Sequence, residues 1–222
     1  MEHNEYKMYL SKEERMRAVL PFMPEAVVVG NGDFPSHPFP LAVLDASPCV
    51  VCCDGGADAL VDSGRVPGWI VGDGDSLSET NRVRFHDRIH RISEQETNDQ
   101  TKAVIFLAAK GIRRMVLVGA TGKREDHTLG NISLLMEYQQ MGLEVAMLTD
   151  YGSFVPAADT EKFAGFPRQQ VSVFNVDAVQ LRSEGLRYPL YDFQSWWQGT
   201  LNEVIDSEFC ISAKGRYLVS HL

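Results

Sequence analysis

The segment Gly72-Asp73-Gly74-Asp75-Ser76 sets two carboxylates two residues apart among glycines, directly after the apolar run Trp69-Ile70-Val71. Carboxylates held a few ångströms apart repel and shift each other's pKa unless a cation sits between or beside them. A hard divalent cation suits such a position. Magnesium takes oxygen ligands, usually one or two carboxylates plus substrate phosphates and water. Asp54, Asp73, Asp75 and Asp99 are the candidate ligands. Taken alone, Gly-Asp-Gly-Asp reads more plainly as a solvated turn, since both residue types form turns. Repetition favours chemistry: Asp54-Gly55-Gly56, the Gly-Asp run, the stretch from Glu94 to Asp99 and the stretch from Gly119 to His127 each follow an apolar, β-like run.

The last stretch supplies the opposite charge. In Gly119-Ala120-Thr121-Gly122-Lys123-Arg124-Glu125-Asp126-His127 the glycines permit close backbone approach and the helix that follows offers free N–H groups to anions. Lys123 and Arg124 add positive charge for phosphate oxygens. The segment is not a Walker A loop, because the lysine is not followed by Ser or Thr and the glycine spacing differs. Lys102, in the first turn of the helix after Asp99, is placed either to reach a phosphate or to sit in solvent. His127 reads as a structural residue at a helix start, with a general base as the alternative. Trp196-Trp197 reads as core and interface, with a stacking surface as the alternative.

Elements with a clear rhythm carry these segments. Strands are predicted at Ala26–Val29, Cys49–Cys52, Trp69–Val71, Ile89–Ile92, Met115–Val118 and Val145–Leu148, and helices near Gly56–Asp62, Leu77–Phe85, Gln100–Lys110 and His127–Met141. Ser76 and Glu79 predict a capping box, while Gly111 and Gly142 mark helix C-terminal stops. The β-α-β-α order predicts an open, mostly parallel, Rossmann-like sheet, whose ligands bind at the carboxyl ends of the strands. After about Tyr151 the pattern becomes short and β-like, at 171–176, 185–190, 208–212 and 216–220, beyond a linker-like stretch at 154–167. The division predicted is an α/β domain over 1–155, with a 1–24 extension holding a helix near Lys12–Leu20, and a smaller all-β sandwich domain over 156–222.

Composition narrows the partners. The 222 residues are 44% hydrophobic, enough for a substantial core, and 30 acidic against 21 basic residues give a formal charge of −9. That balance argues against a general affinity for nucleic acid or anionic membrane, so an anionic ligand needs local cations or a metal. The charged N-terminus does not read as a secretory signal and no apolar run is long enough to span a bilayer, so a cytoplasmic protein is expected. Cys49, Cys52, Cys53 and Cys210 read as buried, reduced thiols, because positions 49 and 52 of a strand face opposite sides.

The ordered motifs Cys-Cys-Asp-Gly-Gly-Ala-Asp (52–58), Gly-Asp-Gly-Asp-Ser (72–76), Gln-Glu-Thr-Asn-Asp-Gln-Thr-Lys-Ala (95–103), the stretch opening Gly-Ala-Thr-Gly-Lys-Arg-Glu-Asp-His (119–135) and Gly-Leu-Arg-Tyr-Pro-Leu (185–190) resemble the thiamine pyrophosphokinase family, also called thiamine diphosphokinases. The resemblance implies an α/β domain binding ATP and a β-sandwich domain that helps form a homodimer with thiamine sites at the subunit interface. It implies that Asp54, Asp73, Asp75, Asp99, Arg124 and Asp126 are catalytic, with Asp73, Asp75 and Asp99 holding Mg²⁺. Gly55, Gly56, Gln95, Asn98, Lys102, Thr121 and Lys123 are placed on the nucleotide, and Tyr188 and Asn202 on the thiamine. An aromatic face beside a cationic thiazolium is physically sensible.

The chain departs from the family pattern at Gly74, where Gly-Asp-Phe-Asp-Ser is usual, at Asn98 for Thr, at Lys123 for Gly and at Leu201 for Ser. The implied reaction is pyrophosphoryl transfer from ATP to the thiamine hydroxyl, yielding AMP and thiamine diphosphate. Asp54 or Asp126 would be the group orienting or deprotonating that hydroxyl. A Mg²⁺-dependent phosphohydrolase and a non-catalytic nucleotide- or thiamine-binding protein are the alternatives.

Overall fold

The protein is described from a computed structural model over residues 17–222, in which the chain forms two compact units. Residues 24–150 form the first. Its strands are β1 (Ala26–Val29), β2 (Val50–Cys53), β3 (Trp69–Gly72), β4 (Ile89–Arg91), β5 (Arg114–Val118) and β6 (Glu144–Leu148). Its helices are α1 (Pro38–Ala46), α2 (Gly56–Asp62), α3 (Glu79–Arg84), α4 (Asp99–Ala109) and α5 (Glu125–Gln140). The strands lie in the order β6-β5-β1-β2-β3-β4 and every pairing is parallel. Val27 to Val29, Val51, Ile70, Val71 and Met115 to Val118 are all fully or nearly fully buried, as a parallel sheet covered on both faces requires.

The second unit comprises residues 151–222 and, of the described N-terminal residues, 17–23. Ala18 and Leu20 are buried in it, and Gln169 Nε2 and Ser153 Oγ donate to the carbonyls of Ala18 (3.0 Å) and Val19 (2.7 Å). Its strands are β7 (Ser153–Ala158), β8 (Glu161–Ala164), β9 (Gln170–Asn175), β10 (Val179–Glu184), β11 (Asn202–Glu203), β12 (Glu208–Lys214) and β13 (Arg216–His221). Antiparallel rows β11-β9-β13-β7 and β10-β12-β8 enclose one core that includes Phe163, Val173, Leu181, Phe209, Ile211 and Tyr217, so the unit is a β-sandwich. No helix among the described residues is long and apolar enough to cross a membrane.

The structure corrects several sequence readings. The Ser76–Glu79 capping box does not form; α3 starts at Glu79 and Ser78 Oγ caps it, accepting from Asn81 N. The linker-like stretch 154–167 is mostly strands β7 and β8. Gly185–Leu190 is not a strand and makes only an isolated bridge, Leu186 to Val204. Trp196 and Trp197 are not core: they are 54% and 74% exposed in a short 3-10 turn. Cys52 and Cys53 are buried and free, whereas Cys49 and Cys210 are free but only half-buried. The chain divides at residues 150 and 151 where the sequence reading divides it at 155 and 156. The helix read near Lys12–Leu20 lies, up to residue 16, outside the described residues.

Candidate active site

From β1 the connections run outward through β2, β3 and β4, and the chain then returns to place β5 and β6 on the other side of β1. The strand order therefore reverses between β1 and β5, where open α/β sheets form their ligand crevice. The loops leaving these two strands are zipped together: Gly30 N donates to Val118 O (2.8 Å), Gly32 N to Gly119 O (2.6 Å) and Asp33 N to Thr121 O (2.8 Å). Gly122, at φ +80°, lies so close that a Cβ there would come within 2.1 Å of the Asp33 carboxylate. Gly30-Asn31-Gly32-Asp33 is a further segment at the candidate site that the sequence reading does not single out. Its signal is the same as that of the others, a Gly-x-Gly-Asp run directly after an apolar strand.

A cavity of about 460 Å³ opens at this edge. Asp73, Gln95, Asn98, Asp99, Lys102, Lys123 and Arg124 line it, joined by Asn31, His127 and Asn131. Of the residues singled out from the sequence, Asp54, Gly55, Gly56, Asp75, Thr121 and Asp126 do not line its wall. Asp54 lies behind the wall, 2% exposed, and Gly74 N donates to both of its carboxylate oxygens (3.1 and 3.0 Å). Burial pushes the Asp54 carboxyl up to about 6, helped by its hydrogen bond to Asp73. Asp73 moves the other way, because Asp75 N donates to it (3.0 Å), Asp54 shares its proton with it and Gln95 Nε2 donates to it (3.3 Å). Below about pH 6, therefore, Asp54 rather than Asp73 holds the pair's proton.

The cations are placed by helix starts. Asn98 caps α4 by accepting from Thr101 N (2.9 Å), and its amide donates to Asn131 Oδ1 of α5 (3.0 Å). The first turn of α4 then puts Asp99 and Lys102 together, with Lys102, 3% exposed, donating to Asp99 Oδ1 at 3.2 Å. At the start of α5 the Arg124 guanidinium makes a forked contact with Asp126, at 3.1 and 2.5 Å, which lowers the Asp126 pKa. Lys123 Nζ donates to Asn31 O (2.9 Å) and Asn31 Oδ1 (3.2 Å).

Among the described residues no three His, Cys, Asp or Glu side chains converge closely enough to hold a metal ion, so Asp73, Asp75 and Asp99 are not a ready-made triad. The donor set nonetheless fits magnesium. Two hard carboxylates, Asp73 and Asp99, and the amide of Gln95 face one cavity, and magnesium needs few protein ligands where phosphates supply the rest.

Tyr188 and Asn202, of the second unit, are brought together: Tyr188 N donates to Asn202 Oδ1 (3.1 Å) and Asn202 Nδ2 to Tyr188 O (2.7 Å). The Tyr188 ring is 58% exposed and the Arg187 guanidinium lies 5.9 Å from its centroid. Leu201, beside them, is 71% exposed and takes φ +60°.

Comparison with known proteins agrees with this picture. Residues 41–147 match the profile described as thiamin pyrophosphokinase, catalytic domain, and residues 152–220 the profile described as thiamin pyrophosphokinase, substrate-binding domain. The thiamine pyrophosphokinase of Bacillus subtilis is 29% identical over 174 residues, 73% of this chain and 81% of that protein. The fold is shared with solved structures of the yeast thiamin pyrophosphokinase (TM-score 0.76, 15% identity, covering 93% of this chain and 89% of that one) and of the Candida albicans enzyme (TM-score 0.74, 18% identity, 88% of each).

Proposed function

Because the chain belongs to the thiamin pyrophosphokinase family, its two profiles together covering most of its length, we propose that it transfers the pyrophosphoryl group of ATP to the hydroxyl of thiamine, giving thiamine diphosphate and AMP. The observation that carries this reading is the cavity at the strand-order reversal, whose wall sets the carboxylates of Asp73 and Asp99 beside Lys102, Lys123 and Arg124. Such transfer depends on positioning and on neutralising phosphate charge more than on covalent chemistry. Asp73 and Asp99 are the residues that would hold Mg²⁺, with Asp75, whose N–H donates to Asp73, as the third carboxylate of the proposed set. When bound, the ion neutralises and orients phosphate oxygens.

The chain's own residues do the remainder. Lys102 and Arg124 meet phosphate oxygens. Gly55 and Gly56 start α2 behind the cavity, and Thr121 belongs to the β5 loop that is zipped to the β1 loop. Asp54, behind the wall, braces the loop that carries Asp73 by accepting from Gly74 N at both of its oxygens. Arg124 is oriented by the forked contact with Asp126. Tyr188 offers an exposed ring to the cationic acceptor, and Asn202 fixes the backbone that carries it. An acidic chain also suits a cationic acceptor. We further propose a homodimer, supported by the exposed Tyr191, Trp196, Trp197 and Leu201 of the second unit.

The test is a product assay with Mg²⁺, ATP and thiamine, resolving AMP, ADP and thiamine diphosphate. Equal amounts of AMP and thiamine diphosphate, lost on chelation, are expected, with Asp73→Asn abolishing turnover while the circular dichroism spectrum is unchanged. Phosphate release without thiamine diphosphate would point instead to a phosphohydrolase, and full activity in Asp73→Asn would overturn the assignment of that carboxylate.

A further inference from the structure

Lys123 sits at φ +59°, in the left-handed region that a lysine enters at a cost, immediately after Gly122 at φ +80°. Residues persist in such conformations only where their surroundings over-determine them, and they gather at functional sites. Here the conformation has a visible result. The side chain, which lines the cavity, reaches the β1 loop, where Nζ donates to both the backbone and the side-chain oxygen of Asn31. Asn31 in turn packs over the loop after β2, so close that a Cβ on Gly55 would come within 2.7 Å of its Nδ2. One ammonium group therefore ties together the loops leaving β5, β1 and β2.

We propose that Lys123 is a positioning residue. It sets nucleotide affinity by holding Asn31 and the Gly30–Asp33 loop as one wall of the cavity, and not chiefly by direct charge on a phosphate. This rests on the proposed reading of the cavity as a nucleotide site. The backbone hydrogen bonds that zip the β1 and β5 loops fix the two main chains, but none of them reaches the Asn31 side chain. Among the described residues, Lys123 is the group that hydrogen-bonds that side chain. A glycine at position 123 would fit the backbone better and lose the tie, so stability and affinity should move in opposite directions.

The experiment is titration calorimetry with ATP and Mg²⁺ on the full chain, beside thermal melts and turnover assays, for Lys123→Gly, Lys123→Arg, Asn31→Ala and the double variant Lys123→Gly/Asn31→Ala. Losing a charged hydrogen-bonding group should raise Kd for ATP about tenfold in Lys123→Gly. The melting temperature should hold or rise, and kcat should fall less than kcat/KM. Lys123→Arg should recover most of the affinity. Asn31→Ala removes the bond to Oδ1 and keeps the one to the backbone carbonyl, so it should weaken ATP no more than Lys123→Gly does, and the double variant should be no worse than Lys123→Gly alone. Unchanged affinity in Lys123→Gly, or full affinity in Asn31→Ala with additive losses in the double variant, would overturn the proposal. If the wild type binds ATP but forms no thiamine diphosphate, the pyrophosphokinase reading fails while this one is still decided by the affinities. If the wild type binds no ATP, both fall.

Discussion

At the scale of single residues, the chemistry was legible wherever residue type and position coincided. Asp73, Asp99, Lys102, Lys123 and Arg124 reach one cavity because each follows a parallel strand. The division of labour among the acids was not legible, since it depends on burial. Asp54 is hidden and accepts a backbone N–H at both oxygens, whereas Asp73 faces the cavity. Nor could the departure at position 74 be weighed beforehand. Gly74 takes φ +88°, which suits glycine and strains any other side chain, so this loop is built around the glycine. The Asp54 environment has a measurable result. Its folded pKa of about 6 lies above the ordinary 3.8, so the folded state binds the proton more tightly and the stability this contributes is present at low pH and lost as pH rises through 6. In metal-free buffer, the wild type should lose about 2 kcal/mol relative to Asp54→Asn between about pH 4 and pH 7. Asparagine tolerates the φ of +33° at this position and cannot ionise. Denaturant melts of both proteins at the two pH values check this, and parallel pH profiles would show that Asp54 is not the proton holder.

At the scale of elements, five of the six parallel strands could be read as buried apolar runs, which leave little ambiguity, while the half-exposed edge strand β4 is marked by Ile89 and its place in the β-α rhythm. The errors came where a local rule met a tertiary override. Helix α1 has no counterpart in the sequence reading; Pro38 and Pro40 sit in its first turn, where their missing N–H groups cost nothing. Strand β7 was read as linker because it contains Pro156, which pairs in register with Leu218 despite lacking a donor. Gly111 and Gly142 were readable as helix stops and take φ of +85° and +77° after α4 and α5. Asn98, which looked like a mere substitute for threonine, does two jobs: it caps α4 through its oxygen and reaches Asn131 of α5 through its nitrogen. Asn98→Ala removes both and should cost about 1 kcal/mol of stability. It should raise KM for ATP more than it lowers kcat, because Asp99 and Lys102 ride on the turn that the cap fixes. Asn98→Thr can restore the cap but not the link to α5, so it should recover stability more fully than KM. A threonine variant equal to wild type in both would show that the link to Asn131 does nothing.

At the scale of the whole molecule, the two units carry buried titrating groups of opposite sign. Asp54 in the first unit is raised by burial. In the second, His221 of the last strand is 3% exposed, its Nδ1 has no hydrogen-bond partner among the described residues, and the rings of Phe163 and Phe209 lie 5.8 and 5.9 Å from its own. Burial disfavours its charged form and pushes its pKa down to about 4, below the ordinary 6.5. In the window between these values the unfolded histidine takes up a proton that the folded one refuses. His221 therefore contributes stability above 6.5 that is lost as pH falls towards 4, about 3 kcal/mol in all. The slope is opposite to that of Asp54, so acidification favours one buried group and opposes the other. Calorimetric scans of wild type and His221→Gln at about pH 4 and pH 7 isolate the histidine, because every other titrating group is common to both. The variant is expected to be less stable at neutral pH, where it loses a ring packed against the stacked pair Phe163 and Phe209, and to lose less stability than the wild type on acidification. Equal losses in both proteins would mean that His221 titrates as a solvent-exposed histidine, and that the strand carrying it opens more readily than its burial implies.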